Sequence, residues 1–172
     1  QDYPKKGFLT FGIPHNWNPN ATIENEIDKA VLKYVSNRKE DFNAIFEFVG
    51  SIFLKKRLKK QSRALMLWGK TANTGKSTLL EIIESIFLQE SYTSTTLTQL
   101  ESKHGIAQLP NTRLIVNDET EDKALDSSTV FKSIMTGGMV PVEPKNKSIY
   151  NYIPEQKYIG GFNRPPKFND KT

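Results

Sequence analysis

The 172-residue chain carries 24 Lys and Arg against 19 Asp and Glu, a formal net charge of +5 with a pI near 9.3, which favours a polyanionic partner without identifying one. Its length suits one full α/β core with a small appendage rather than two large domains, and the absence of cysteine excludes disulfides and thiolate metal sites, which fits a reducing cytosol. No apolar run is long enough to span a bilayer, no secretory signal is present and the chain opens on Gln1 rather than Met, so the expectation is a soluble, cytoplasmic piece of a longer polypeptide.

Residues 1–21 mix Pro, Gly and Trp17 without a sustained period and read as an irregular leader. From Thr22 the period becomes helical. Ile23, Ile27, Val31 and Tyr34 share one face, and after a break at Ser36-Asn37 a second face holds Phe42, Ile45, Phe46, Val49, Ile52 and Phe53. Residues 22–60 are thus expected to be a small helical unit, and residues 61–172 the main core. The unit ends in the basic run Lys55 to Lys60, which suits either a solvated helix C-terminus or a nucleic-acid contact.

The core alternates strand and helix, the pattern of an α/β fold around a central parallel sheet. Ala64 to Trp68 predicts a strand, Lys76 to about Gln89 a helix with Leu79, Leu80, Ile83 and Phe87 inward, and Tyr92 to Leu97 a β-branched strand. After the turn at Pro110-Asn111, Arg113 to Glu119 reads as a buried strand ending in two carboxylates. Asp126 is the expected N-cap of a helix through Val130, Ile134 and Met135 that stops at Thr136-Gly137-Gly138. Met139 to Glu143 and Ser148 to Ile153 flank Pro144 to Lys147 as a hairpin with a basic tip, and Lys157 to Phe162 is a last short strand.

Two of these junctions carry chemistry. Between the first strand and helix lies WGKTANTGKSTLL, a loop ending Gly75-Lys76-Ser77-Thr78. A strand turning sharply into a helix aims backbone N–H groups and the positive helix end at phosphates, so Asn73, Thr74, Gly75, Lys76, Ser77 and Thr78 are expected to cradle a nucleoside triphosphate in the manner of a P-loop. Lys76 supplies a mobile charge and Ser77 a hydroxyl ligand for Mg²⁺. Five residues separate Gly69 from Gly75 where the usual spacing has four, so either the loop is one residue longer or Lys70 replaces Gly in its first turn. About forty residues downstream, Asp118 is the candidate metal-side carboxylate and Glu119 the candidate base for an attacking water. Asn163, after the last strand, could bond that water or the γ-phosphate, or be an ordinary loop residue; Lys145 and Lys147 could touch a phosphate backbone or simply be solvated.

Taken in order, ANTGKST, LIVNDET, FKSIMTGG with its hairpin, and YIGGFNRPP resemble the Walker A, Walker B, third motif and sensor strand of the superfamily III helicases, a branch of the AAA+ ATPases. The likeness spans about Thr22 to Phe168 and is closest to the helicase portion of phage and plasmid primase-helicase polypeptides. It implies an ATP- and Mg²⁺-dependent motor that assembles as a hexameric ring on single-stranded or forked DNA. In that arrangement Lys76 and Ser77 bind phosphates and metal, Asp118 holds the metal, Glu119 polarises water, Asn163 senses the γ-phosphate, and Lys145 and Lys147 grip DNA. The resemblance further implies that the helices before Lys60 form an oligomerisation collar, and that a primase domain can precede the motor.

The family places an interface arginine beyond the sensor strand, whereas Arg164 is the only arginine after Arg113. Loss of such a residue costs about 10³ to 10⁵ in rate, so ATP binding with weak hydrolysis is the expectation for this stretch. Two other readings use the same cradle. One is a phosphotransferase acting on a small substrate, which leaves the hairpin and Asn163 unexplained; the other is an ATP-controlled DNA-binding or assembly module without motor activity.

Overall fold

A computed structural model describes residues 13–16, 18–20, 39–54, 64–71, 73–118, 125 and 127–169. The expected helix at residues 22–36, the basic run Lys55 to Lys60, Glu119 and Asp126 lie outside the described residues.

Four strands, β1 (Ala64–Trp68), β2 (Tyr92–Ser94), β3 (Leu114–Asn117) and β6 (Lys157–Phe162), form one parallel sheet in the order β1-β6-β3-β2. β3 and β6 are buried along their whole length, which is why they read as near-continuous apolar runs rather than alternating ones. Alternation within them sorts the core into two layers. Leu114, Val116 and Ile159 face helices α1 (Lys39–Ile52) and α2 (Lys76–Ser85). Ile115, Tyr158 and Phe162 face α3 (Leu97–Leu100), α4 (Lys103–Ala107), α5 (Thr129–Thr136) and a two-stranded antiparallel ribbon, β4 (Val140–Val142) with β5 (Tyr150–Tyr152). No described helix is long and apolar enough to cross a membrane.

Several boundaries differ from the sequence expectation, each for a local reason. On α1 the buried stripe is Ile45, Phe48, Val49 and Ile52, while Phe46 is 47% exposed and its ring lies tilted against that of half-buried Phe42. This stripe packs with Leu79, Leu80 and Ile83 of α2 in a single cluster. α2 stops at Ser85, where the Ile86 and Phe87 amides donate to the Ile83 and Glu84 carbonyls; Phe87 is buried just past the helix end, and a 3₁₀ turn follows at Gln89–Ser91. β2 ends at Ser94 rather than at Leu97. Thr96 accepts from the Gln99 amide at 3.1 Å while the Gln99 side chain accepts from the Thr96 amide at 3.3 Å, a capping box that starts α3.

The α3–α4 pair was not anticipated, and the two short helices touch so closely at Gly105 that a Cβ there would overlap the Gln99 carbonyl oxygen. The N-cap position of α5 is Ser128, not Asp126, and the first free amides of that helix are met from elsewhere. The Glu101 carboxylate accepts from the amides of Phe131 at 2.9 Å and Val130 at 3.1 Å. The C-terminus of α5 follows expectation, with Gly137 left-handed at φ 72°.

Candidate functional site

In a parallel sheet, residues just past the carboxyl ends of neighbouring strands are brought side by side, and ligands bind in the crevice they form. Here β6 lies between β1 and β3, so Gly69, Asn163 and Asp118 emerge together at one edge of the core. The Gly69 amide still donates to the Phe162 carbonyl at 3.0 Å, extending the β1–β6 ladder one step before the chain turns away. The turn into α2 is made by two left-handed residues, Asn73 at φ 58° and Gly75 at φ 78°. Asn tolerates that conformation and Gly adopts it without strain. No side chain caps the α2 N-terminus.

The result is a cavity of about 260 Å³ lined by residues 73–78 together with Asp118, Gly161 and Asn163. The Ser77 hydroxyl donates to Asp118 Oδ1 at 2.8 Å, joining the first turn of α2 to the end of β3 across 41 positions of sequence. The strand end itself is anchored by Asn117, whose buried amide donates to the Tyr158 hydroxyl of β6 at 2.9 Å. Lys76 folds back on its own loop, donating to Thr74 Oγ1 at 2.9 Å and to the Thr71 carbonyl at 3.2 Å. Its ammonium can therefore reach a ligand by exchanging two neutral acceptors. A hydroxyl and a carboxylate meeting in one polar cavity, beside uncapped helix amides and an ammonium, form a set that can hold an anion together with a hard divalent cation.

Sequence reasoning brought six loop residues, Asp118 and Asn163 to this place, and all of them line the one cavity. It missed Gly161, where a Cβ would stand 3.3 Å from Leu80 Cδ1 and 3.5 Å from both Asp118 Oδ1 and Lys76 Cβ, so the glycine leaves free the room on the cavity floor that a side chain would fill. It also missed Glu84, two turns along α2 from Ser77. Burial, then the Asp118 and Glu81 carboxylates, hold Glu84 above the ordinary carboxylate range. The spacing of Ser77, Glu81 and Glu84 along one side of the helix was the available signal.

A second cavity, about 480 Å³, adjoins the first through Thr74, Gly75 and Lys76 and runs along β1 to α1, with Trp68 and Leu67 in its lining. Lys145 and Lys147 do not join either cavity. They stand exposed at the turn of the β4–β5 ribbon, against the opposite layer of the core.

A protein-family profile described as "Family of unknown function (DUF5906)" matches residues 67–172. Among solved structures, the chain is similar to the A form apo structure of the NrS-1 C-terminal region, at 16% identity and a TM-score of 0.62, covering 83% of this chain and 36% of that one. A second apo structure of the same region matches at 17% identity and a TM-score of 0.61, again over 83% of this chain and 36% of the other. The likeness at such identity is one of fold, and the chain spans little more than a third of the length of the structures it matches. No curated protein matches the sequence.

Proposed function

The chain belongs to the family of unknown function DUF5906, and we propose that it is an ATP-hydrolysing motor of phage or plasmid DNA replication, akin to the superfamily III helicases, working as a homo-oligomeric ring on single-stranded or forked DNA. The observation that carries this reading is the Ser77–Asp118 hydrogen bond at 2.8 Å, which closes a cavity shared by Lys76 and Asn163. Few α/β sites other than nucleoside-triphosphate sites need a hydroxyl, a strand-end carboxylate, an ammonium and free helix amides at one point.

In this reading residues 73–78 form a P-loop whose amides hold the β- and γ-phosphates, and Lys76 leaves Thr74 to bind them. Ser77 and Asp118 would hold Mg²⁺, which would supply charge neutralisation at the phosphates. Glu119 draws the proton from the attacking water, and Asn163 hydrogen-bonds that water or the γ-phosphate. The adjoining apolar cavity beside Trp68 takes the nucleoside. Residues 22–60 supply an oligomerisation collar, residues 61–172 the ATPase core, and Lys145 and Lys147 contact the DNA backbone. A primase or polymerase domain of the same polypeptide is the natural companion.

The test is ATP turnover of a longer polypeptide that also carries an interface arginine, with and without single-stranded DNA, with oligomeric mass read on the same samples. DNA-stimulated hydrolysis in a ring, abolished nucleotide binding in Lys76→Ala, and retained binding without turnover in Glu119→Gln are expected. Turnover indifferent to DNA in a stable monomer would overturn the motor reading in favour of a small phosphate acceptor. Parental turnover in Glu119→Gln would remove that residue as the base.

A further inference from the structure

The β4–β5 ribbon has two chemically different faces. Its register pairs Val140 with Tyr152, Pro141 with Asn151 and Val142 with Tyr150. Strand alternation therefore puts Val140, Val142, Tyr150 and Tyr152 on one face and Pro141 and Asn151 on the other, with Met139, Ile149 and Ile153 continuing the second set just beyond the paired residues. The first face is core, with Val140 and Val142 at 2% and 0% exposure. The second stands in water, with Met139 59%, Ile149 63% and Ile153 50% exposed. Three aliphatic side chains sharing one exposed face are more than the scattered apolar residues of an ordinary surface.

The end of the ribbon is cationic. The turn is closed by the Lys147 amide donating to the Pro144 carbonyl at 3.2 Å, with Asn146 left-handed at φ 60°, and it leaves Lys145 and Lys147 exposed. Glu143, the carboxylate that enters the turn, is paired with Lys103 at 2.7 Å, so it does not offset the two lysines. Tyr150, 43% exposed, lies near the same end but on the face of its partner Val142, so it is not part of the outer surface.

An apolar face ending in uncompensated positive charge matches a ligand that presents flat apolar surfaces along a chain of negative charges. A single strand does so, whereas a duplex hides its base faces in the stack. We propose that the outer face of the ribbon, built on Met139, Ile149 and Ile153 with the Asn151 amide between them, is a base-packing surface for single-stranded nucleic acid whose phosphates are held by Lys145 and Lys147. This rests on the DNA-binding part of the proposed function and adds to it that affinity comes from bases as well as from charge.

The test is fluorescence anisotropy of the chain with labelled oligothymidylate and with a duplex of equal length, over a series of salt concentrations. The double variant Ile149→Ser/Ile153→Ser should lose about tenfold in single-strand affinity, keep the parental salt slope and leave duplex binding unchanged. Met139→Gln, a milder single change, should lose about threefold in the same way. Lys145→Ala/Lys147→Ala should instead reduce the salt slope by about 1.4, or 0.7 per phosphate contact. Parental affinity in both apolar variants, with loss in the lysine variant, would overturn the base-packing surface while leaving the DNA reading standing. No binding by the parental chain at low salt would overturn both. A fall in oligomeric mass with unchanged affinity per subunit would overturn the proposal by making the face a contact between protein molecules.

Discussion

Glu84 is the residue whose environment departs most from what its sequence position suggests. It lies on a helix, among residues that periodicity places toward solvent, yet burial and the carboxylates of Asp118 and Glu81 hold its proton more tightly than in an unfolded chain. A raised folded pKa means that its contribution to stability is complete below the ordinary carboxylate value of 4.5 and is lost as pH climbs through the raised one. At neutral pH the ionised group therefore opposes folding. Glu84→Gln should melt above the parental chain at pH 7, with the gap closing as pH falls below the ordinary carboxylate range; an equal melting temperature at pH 7 would show that Asp118 and burial do not act on it. The loop residues 73–78 were legible because their conformation is local: Asn73 and Gly75 adopt left-handed backbone that their own side chains permit. Glu84 was less so: its spacing from Glu81 lies in the sequence, but its burial and its approach to Asp118 are set by how α2 packs on the sheet.

At the scale of elements, α5 shows how a helix end can be completed from elsewhere in the chain. Ser128 at the N-cap position makes no side-chain cap, and the Glu101 carboxylate takes two first-turn amides instead, at 2.9 and 3.1 Å. A carboxylate there also complements the positive helix end. Glu101→Ala should cost about 1 to 2 kcal/mol, read as a lower urea midpoint with an unchanged slope; an unchanged midpoint would mean that water replaces the carboxylate without loss. The capping box of Thr96 and Gln99 was written in the sequence, but it was masked by the β-branched run Thr93 to Thr96, which reads as strand until the cap turns it. The hairpin was legible from its turn residues and β6 from its short, largely apolar run, both of which are local signals.

At the scale of the whole molecule, the site exists only because β6 lies between β1 and β3, bringing three distant strand ends to one crevice. A ligand bound there ties the α1–α2 layer to the sheet, so Mg²⁺ with ATP should stabilise the fold by about 2.7 kcal/mol at a hundredfold excess over Kd. The gain should vanish in Lys76→Ala; a rise in melting temperature preserved in that variant would place the nucleotide elsewhere. The sequence by itself determined the alternation of strands and helices, the glycine-containing turn at residues 73–78, the buried strand ending at Asp118 and the basic ribbon turn, because periodicity and turn chemistry act over a few residues. Only the tertiary structure decided the strand order, the Ser77–Asp118 contact, the open floor at Gly161 and the split of the ribbon into a core face and an exposed apolar face. Those depend on which distant segments pack together, and that is set by burial summed over the whole chain rather than by any short run of it.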